Sequence, residues 1–119
     1  MHGLIMDHPL LVGDIVRHVE RFHGDTEVVS RLPDADGAIH RSTYAEVVSR
    51  ARRVANALDT LGITKQGNVG TLAWNTHRHL ELYYGVSSAQ RVLHTVNPRL
   101  FPEQIIWIIN HAEDQVLFF

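Results

Sequence analysis

Hydrophobic positions along the chain predict one long helix at its centre. Thr43 and Glu46 have the spacing of a capping box, in which the hydroxyl and the carboxylate satisfy free backbone N–H groups. The apolar residues behind this cap recur every three or four positions and form a single stripe: Val47, Ala51, Val54, Leu58 and Leu61. Gly62 then supplies the expected end of the helix.

Shorter patterns on either side complete the predicted order of elements. Before the central helix we expect a helix and the two strands of a β-hairpin, at residues 14–22, 27–32 and 38–41. After it we expect a strand, a helix, a strand, a helix and a strand, at residues 68–74, 75–90, 92–96, 102–111 and 116–119. Strands that alternate with helices favour a mostly parallel sheet with flanking helices. The predicted fold class is therefore α/β, with a short N-terminal β-hairpin.

Two strongly apolar segments predict an association surface near the end of the chain. They belong to the last helix and the last strand: Ile105, Ile106, Trp107, Ile108, Ile109, and Val116, Leu117, Phe118, Phe119. A helix that is apolar all round needs burial on more than one side, and an open apolar strand edge invites association. We therefore expect the chain to be the front piece of something larger, or to self-associate through these segments.

Composition narrows the functional classes without choosing among them. The chain has 119 residues, which fits one domain, and its hydrophobic fraction of 45% is too high for a disordered chain. Its formal net charge of −2 gives no net attraction to nucleic acid. It has no cysteine, which excludes thiol chemistry and permits a cytoplasmic location, and no apolar run of the ~20 residues that a transmembrane segment needs.

No pattern in the sequence predicts a catalytic, cofactor-binding or metal-binding residue. His77 and His79 lie two apart in a predicted helix and point to nearly opposite sides, so we interpret them as a polar helix start. Residues 62–67 have the glycine spacing of a phosphate loop, but they run from helix to strand, which indicates a helix end and a tight turn. Three acids near helix ends are expected to be ordinary solvated side chains: Glu103, Glu113 and Asp114.

Four runs of sequence, in this order, resemble the N-terminal part of the fatty-acid–CoA ligases of the adenylate-forming (AMP-binding) superfamily. They are residues 42–47 (STYAEV), 71–81 (TLAWNTHRHLE), 93–105 (LHTVNPRLFPEQI) and 110–114 (NHAED). The first and third resemble the first and second core motifs of the superfamily. The second is typical of the medium- and long-chain acyl branch. The resemblance implies that residues 1–119 are an incomplete part of the large N-terminal domain.

The resemblance also implies a parent reaction. Such ligases use ATP and Mg²⁺ to form an acyl-adenylate from a fatty acid, and then pass the acyl group to coenzyme A. The family's phosphate loop, adenine-binding aromatic residue, ribose-binding acid and catalytic lysine have no counterpart in these residues, so we expect no activity and no cofactor for the chain alone. Trp74, His94 and Asn97 are expected to line or brace the acyl and nucleotide sites, with plain scaffold packing as the alternative.

Two departures from the family pattern bear on the fold. The segment that opens with Asn68 is one residue shorter than usual, and such a change reverses the faces that strand side chains occupy. Gln90 and Arg91 stand where the family has small residues, so each needs solvent or a polar partner.

Two other functions stay open beside the ligase segment. The chain could be a non-catalytic module that self-associates or docks on a partner through the two apolar segments. It could also be one half of a split ligase, completed by a second chain that carries the phosphate loop.

Overall fold

The computed structural model describes residues 3–119, which form an α/β fold with two sheets. The elements in chain order are α1 (Val12–His23), β1 (Glu27–Arg31), β2 (Ile39–Thr43), α2 (Tyr44–Thr60), β3 (Asn68–Thr71), α3 (His77–Ser88), β4 (Val92–Thr95), α4 (Pro102–Ala112) and β5 (Val116–Phe118). Strands β1 and β2 pair as an antiparallel hairpin. Strands β3, β4 and β5 form a parallel sheet in the order β4-β3-β5. The predicted fold class is confirmed.

Helix α2 begins and ends as its sequence predicts. The Thr43 hydroxyl accepts a hydrogen bond from the Glu46 amide at 3.3 Å, and the Glu46 carboxylate accepts from the Thr43 amide at 2.8 Å. Gly62 follows the helix with a φ of +72°, a conformation that glycine adopts without strain. The predicted stripe is buried at Val47, Ala51 and Leu58, and half-buried at Val54. Leu61 is the exception, since it follows the last helical turn and is exposed.

Helices α2 and α3 pack unusually close because α3 carries a glycine at their contact. A Cβ atom on Gly85 would lie 2.7 Å from the Ala51 carbonyl oxygen and 2.7 Å from the Val54 Cβ atom. Only a residue without a side chain fits there. The contact continues into a small core of fully buried side chains that joins both helices to β3: Leu58, Val69 and Val86.

Strand β3 is shorter than predicted. It ends at Thr71 rather than Trp74, because the chain after Leu72 turns away from the sheet toward α3. The strand keeps a regular parallel register on both sides, with Val69 opposite Leu93 in β4 and Val116 in β5. The one-residue difference from the family pattern at Asn68 therefore leaves the strand pairing undisturbed.

Arg91 finds its polar partners inside the protein. Its side chain is only 2% exposed, and its guanidinium donates to the Asp59 carboxylate at 2.6 Å and to the carbonyl oxygens of Ile63 and Ala89 at 2.7 and 3.1 Å. The arginine thus joins the end of α2, the following loop and the end of α3. Gln90 contacts solvent instead: its side chain is exposed, and its φ is +59°.

The two apolar segments are exposed in part. No residue of α4 is fully buried, and Ile106 and Trp107 are more than 60% exposed. The residues of β5 are half-buried, and Phe119 is exposed. Association through these segments stays a prediction. None of the helices among residues 3–119 is long and apolar enough to cross a bilayer.

Replacing Arg91 with alanine should destabilise the protein strongly. The change opens a cavity and leaves the carbonyl oxygen of Ile63 without its donor, which together cost about 2–4 kcal/mol. Urea unfolding of the 119-residue chain measures the loss. Lys65→Ala is the matched control, because Lys65 approaches the same Asp59 and Ala89 from the solvent side. Equal effects of the two substitutions would contradict the assigned role of Arg91.

Candidate functional site

The parallel sheet reverses its winding direction at β3 and β4. Helix α3 carries the chain from β3 to one neighbour, and α4 carries it back across to the other neighbour, β5. Because such crossovers are right-handed, the two helices lie on opposite faces and the loops after β3 and β4 diverge. In open α/β sheets ligands usually bind outside the carboxyl ends of the strands, where these two loops lie.

The diverging loops line a cleft of about 620 Å³ at this point. Residues 73–76 form one wall and residues 95–99 the other, with further contributions from α3 and the hairpin: His79, Tyr83, Arg31 and Pro33. Two of the three residues predicted to line the acyl and nucleotide sites, Trp74 and Asn97, lie here on opposite walls. The structure therefore brings these two together.

The cleft is positively charged. Arg31 and Arg99 line it, and no aspartate or glutamate does so within residues 3–119. The Arg99 guanidinium carbon lies 5.3 Å from the centre of the Trp74 ring, a distance suited to cation–π attraction. The Asn97 side chain accepts a hydrogen bond from the Arg99 amide at 3.0 Å, which fixes the loop that carries the arginine. This arrangement favours an anionic ligand with a planar or apolar part.

A buried histidine holds the loop that carries Trp74. The His79 Nδ1 atom lies 3.1 Å from the Asn75 side-chain oxygen, and its Nε2 atom lies 3.1 Å from the Thr71 hydroxyl. Since the amide oxygen only accepts, this geometry assigns the ring proton to Nδ1 and makes Nε2 the acceptor from Thr71. Burial lowers the pKa of His79, which keeps the ring neutral. The sequence signal was present, because Asn75 and His79 stand four residues apart.

An apolar groove adjoins the positive cleft. It has a volume of about 570 Å³ and shares Trp74, Ala73 and His79 with the cleft. Its remaining lining combines apolar side chains with charged ones: Val54, Leu82, Phe118 and Phe119, and Asp34, Arg50, Arg78 and Glu81. Trp74 therefore lies between the positive cleft and a groove whose lining is more apolar.

His94, the third predicted site residue, lies away from the cleft. Its Nδ1 atom is 2.8 Å from the Asp114 carboxylate, whose side chain is 1% exposed. Asp114 occupies the space that Gly70 leaves open, since a Cβ atom on Gly70 would lie 2.7 Å from its Oδ2 atom. The expectation that Asp114 is a solvated acid is wrong, because its carboxylate pairs with His94 and braces β4 against the start of β5. Glu103 and Glu113 are exposed as predicted.

Comparison with known families identifies the chain. Residues 15–119 match the sequence profile of the family described as AMP-binding enzyme. The chain belongs to the AMP-binding enzyme family.

Relatives of known activity in this family are CoA ligases. The chain is 51% identical over its whole length to the 3-methylmercaptopropionyl-CoA ligase of Ruegeria lacuscaerulensis, of which it covers 22%. It is 50% identical over 98% of its length to the medium-chain-fatty-acid–CoA ligase of Ectopseudomonas oleovorans, of which it covers 21%. The chain thus spans about a fifth of the length of these relatives.

A solved structure shows the same fold. The fatty acyl CoA synthetase of Mycobacterium tuberculosis superimposes on 90% of this chain with a TM-score of 0.75, at 24% sequence identity, and the match covers 20% of that protein. The predicted resemblance to this superfamily is confirmed by the family match and by this shared fold.

The glycine-spaced loop at residues 62–67 uses most of its amides in hydrogen bonds within the protein. The amides of Ile63 and Gly67 donate to the carbonyl oxygens of Leu58 and Thr64 within the turn. Two others donate outside it, from Thr64 to the Gln115 side chain and from Gln66 to the Gln90 carbonyl oxygen. The interpretation of residues 62–67 as a helix end and tight turn is confirmed.

His77 faces away from His79 and packs against the hairpin. Its ring stacks on the His40 ring with the centres 3.7 Å apart and the planes 9° from parallel. Helix α3 begins at His77, in agreement with the interpretation as a polar helix start, and both His77 and His79 are about 5% exposed. Burial, followed by the nearby His40, lowers the pKa of His77. Among residues 3–119 no group of three or more potential metal ligands occurs.

The stability of the chain should fall as the pH falls below 6.5, the ordinary histidine pKa. The folded state holds His77 and His79 neutral, whereas the unfolded chain protonates them near 6.5, so proton uptake favours unfolding. The full free energy of unfolding is present above this pH, and it decreases as the pH falls toward the lowered pKa values of the two histidines in the folded state. Urea unfolding at a series of pH values measures the change.

His77→Phe retains a ring on His40 but removes the proton-binding group, so it should flatten this pH dependence. His23→Gln, at the exposed end of α1, is the control and should leave the profile of the wild-type chain. A profile that is the same for all three proteins would exclude His77 as a source of the effect.

Proposed function

We propose that the chain is the N-terminal part of an ATP-dependent CoA ligase for medium- or long-chain fatty acids. The observation that supports this proposal is the 50% identity over nearly the whole chain to a medium-chain-fatty-acid–CoA ligase. The parent reaction is formation of an acyl-adenylate followed by transfer of the acyl group to coenzyme A. The absence of cysteine agrees with a cytoplasmic site for this reaction.

In this proposal the chain supplies a binding wall and no reacting group. Trp74 and Asn97 line the positive cleft, and Arg31 and Arg99 attract an anionic part of a substrate there. The apolar groove behind Trp74 suits a hydrocarbon portion. His94 acts one step away, through Asp114, by fixing β4 against β5.

The exposed apolar residues of α4 and β5 are the proposed contact with the remainder of the ligase. Ile106, Trp107 and Phe119 expose large apolar areas, and burial of such area is the main driving force of association. Contact with a second copy of the chain, or with a separate chain of a split ligase, are the competing arrangements.

A chimera tests the ligase proposal. This chain replaces the matching N-terminal part of the medium-chain-fatty-acid–CoA ligase of Ectopseudomonas oleovorans, and formation of acyl-CoA is measured with octanoate, palmitate and 3-methylmercaptopropionate. We expect the chimera to be active and the 119-residue chain alone to be inactive. Activity with 3-methylmercaptopropionate only would reject the fatty-acid substrate class. A folded chimera that is inactive with all three acids would reject the ligase proposal.

Arg99→Gln in the chimera should raise KM for an anionic substrate and leave folding intact. Loss of a charge-assisted hydrogen bond of about 1.5–3 kcal/mol corresponds to a rise of roughly tenfold or more. Arg17→Gln, which removes the same charge from exposed α1, is the matched control. KM values for ATP, CoA and the acid identify which substrate the cleft contacts, and three unchanged values would show that Arg99 only packs against Trp74.

A further inference from the structure

A second polar cleft lies on the other side of the first turn of α3, between the hairpin, α2 and α3. Its volume is about 550 Å³, and it shares no lining residue with the cleft at the ends of β3 and β4. The residues that line it are mostly polar: Leu32, His40, Arg41, Ser42, Glu46, Ser49, Arg50, Arg53, His77, Arg78 and Glu81. It meets the apolar groove at Arg50, Arg78 and Glu81, which line both, and the function proposed above assigns no role to the rest of its lining.

Three buried polar atoms around this cleft have no hydrogen-bond partner within residues 3–119. They are the Nδ1 atoms of His40 and His77 and the hydroxyl oxygen of Ser42. His40 and Ser42 lie two residues apart on β2, so both face α3, and the residue His77 is only 6% exposed. A buried polar group without a partner costs about 1–3 kcal/mol, so three at one place indicate a missing partner.

The missing partner can be a hydrogen-bond acceptor. Each of the three atoms can carry a hydrogen, since a neutral imidazole can hold its proton on Nδ1 and a hydroxyl can always donate. A ligand rich in acceptors can satisfy the three atoms together.

The charge of the cleft favours an anion. Four arginines line it against two glutamates, a net charge of +2 with neutral histidines. Glu46 is occupied by the cap of α2, and Glu81 accepts from Arg50 Nε at 2.7 Å. This bond uses one donor of Arg50 and leaves its two terminal amino groups unbonded within residues 3–119. The Arg53 side chain makes no ion pair or hydrogen bond in the same part of the chain.

The two remaining arginines are partly neutralised by acids outside the cleft. Arg41 donates to Glu27 at 2.6 Å, and Arg78 donates to Asp34 at 2.7 Å. Each bond uses one of the five N–H groups of the guanidinium. Arg50 and Arg53, which lie one turn apart on α2, are therefore the arginines best able to bind a ligand in a bidentate manner.

From these observations we infer that the cleft between the hairpin, α2 and α3 is an oxyanion site that binds a phosphate group. Arg50 and Arg53 supply the charge, and His40, Ser42 and His77 supply donors that otherwise have no acceptor. The phosphate group is either free inorganic phosphate or the end of a phosphate monoester.

Nuclear magnetic resonance of the ¹⁵N-labelled 119-residue chain tests this site. Inorganic phosphate and glycerol 3-phosphate are titrated at constant ionic strength and pH 7.5, with sodium chloride as the reference anion. We expect saturable shifts of the His40 and His77 ring nitrogens and of the Arg50 and Arg53 Nε signals. Binding of phosphate alone identifies the free anion, and binding of both identifies the terminal phosphate group, so either result supports the site.

Two substitutions on the same helix provide the matched comparison. Arg53→Gln should weaken phosphate binding about tenfold or more, because it removes a charged bidentate donor. Arg52→Gln removes the same charge one residue away, where Arg52 pairs with Glu20 on α1, and should leave binding unchanged. Both arginines are exposed, so neither change should prevent folding, and thermal unfolding checks this. Ser42→Ala should also weaken binding, by removal of a hydroxyl alone.

Three results would overturn the inference. They are shifts that do not saturate or that follow ionic strength, shifts confined to Arg31, Trp74 and Arg99 in the other cleft, and equal binding by the Arg53→Gln and Arg52→Gln proteins. The thermal shift of the active chimera with phosphate gives a second reading in the full-length context. A stabilisation there that Arg53→Gln abolishes, with ligase activity retained, would separate this site from the catalytic function.

Discussion

The close contact between α2 and α3 is the constraint on which the rest of the structure depends. Gly85 lets the backbone of α3 approach the Ala51 carbonyl oxygen, and the two helices then cover β3 with Leu58, Val69 and Val86. A side chain at Gly85 would move α3 outward. Because dense packing transmits such a displacement, the first turn of α3 would lose its position against both the hairpin and the sheet.

That first turn places two clefts on opposite sides of one helix. His79 points toward the end of β3 and holds the loop of Trp74, whereas His77 points toward the hairpin and stacks on His40. The spacing of two residues, which argues against a shared metal, is what allows one helix to serve two surfaces. Glu81 lies one turn further on, where it fixes Arg50 from the second cleft. Buried polar side chains at this turn therefore determine the local geometry, and the apolar core determines only where the helix lies.

The elements of this fold could be predicted because their signals are local. The capping box at Thr43 and Glu46 and the apolar stripe of α2 depend on residues that are neighbours in sequence. The order of helices and strands that follows then indicates a parallel sheet. The burial of Asp114 and Arg91 could not be predicted in this way, because it depends on space left by Gly70 and on carbonyl oxygens of the loop after α2 and of the end of α3. These partners come together only in the folded chain.

The candidate site, too, could be predicted from the sequence only in part. Trp74 and Asn97 follow consecutive strands of a parallel sheet, so their meeting in one cleft follows from topology. His94 lies within β4 rather than after it, and its side chain is directed by strand alternation toward Asp114 instead of the cleft.

No signal in the sequence indicated the second cleft, since this cleft requires the inward face of the hairpin to be polar. In a β-hairpin packed on helices the inward face is usually apolar, yet here Val29 and Ile39 face outward while His40 and Ser42 face α3. This inversion leaves donors inside the fold, and a ligand that accepts their hydrogen bonds removes the cost of burying them.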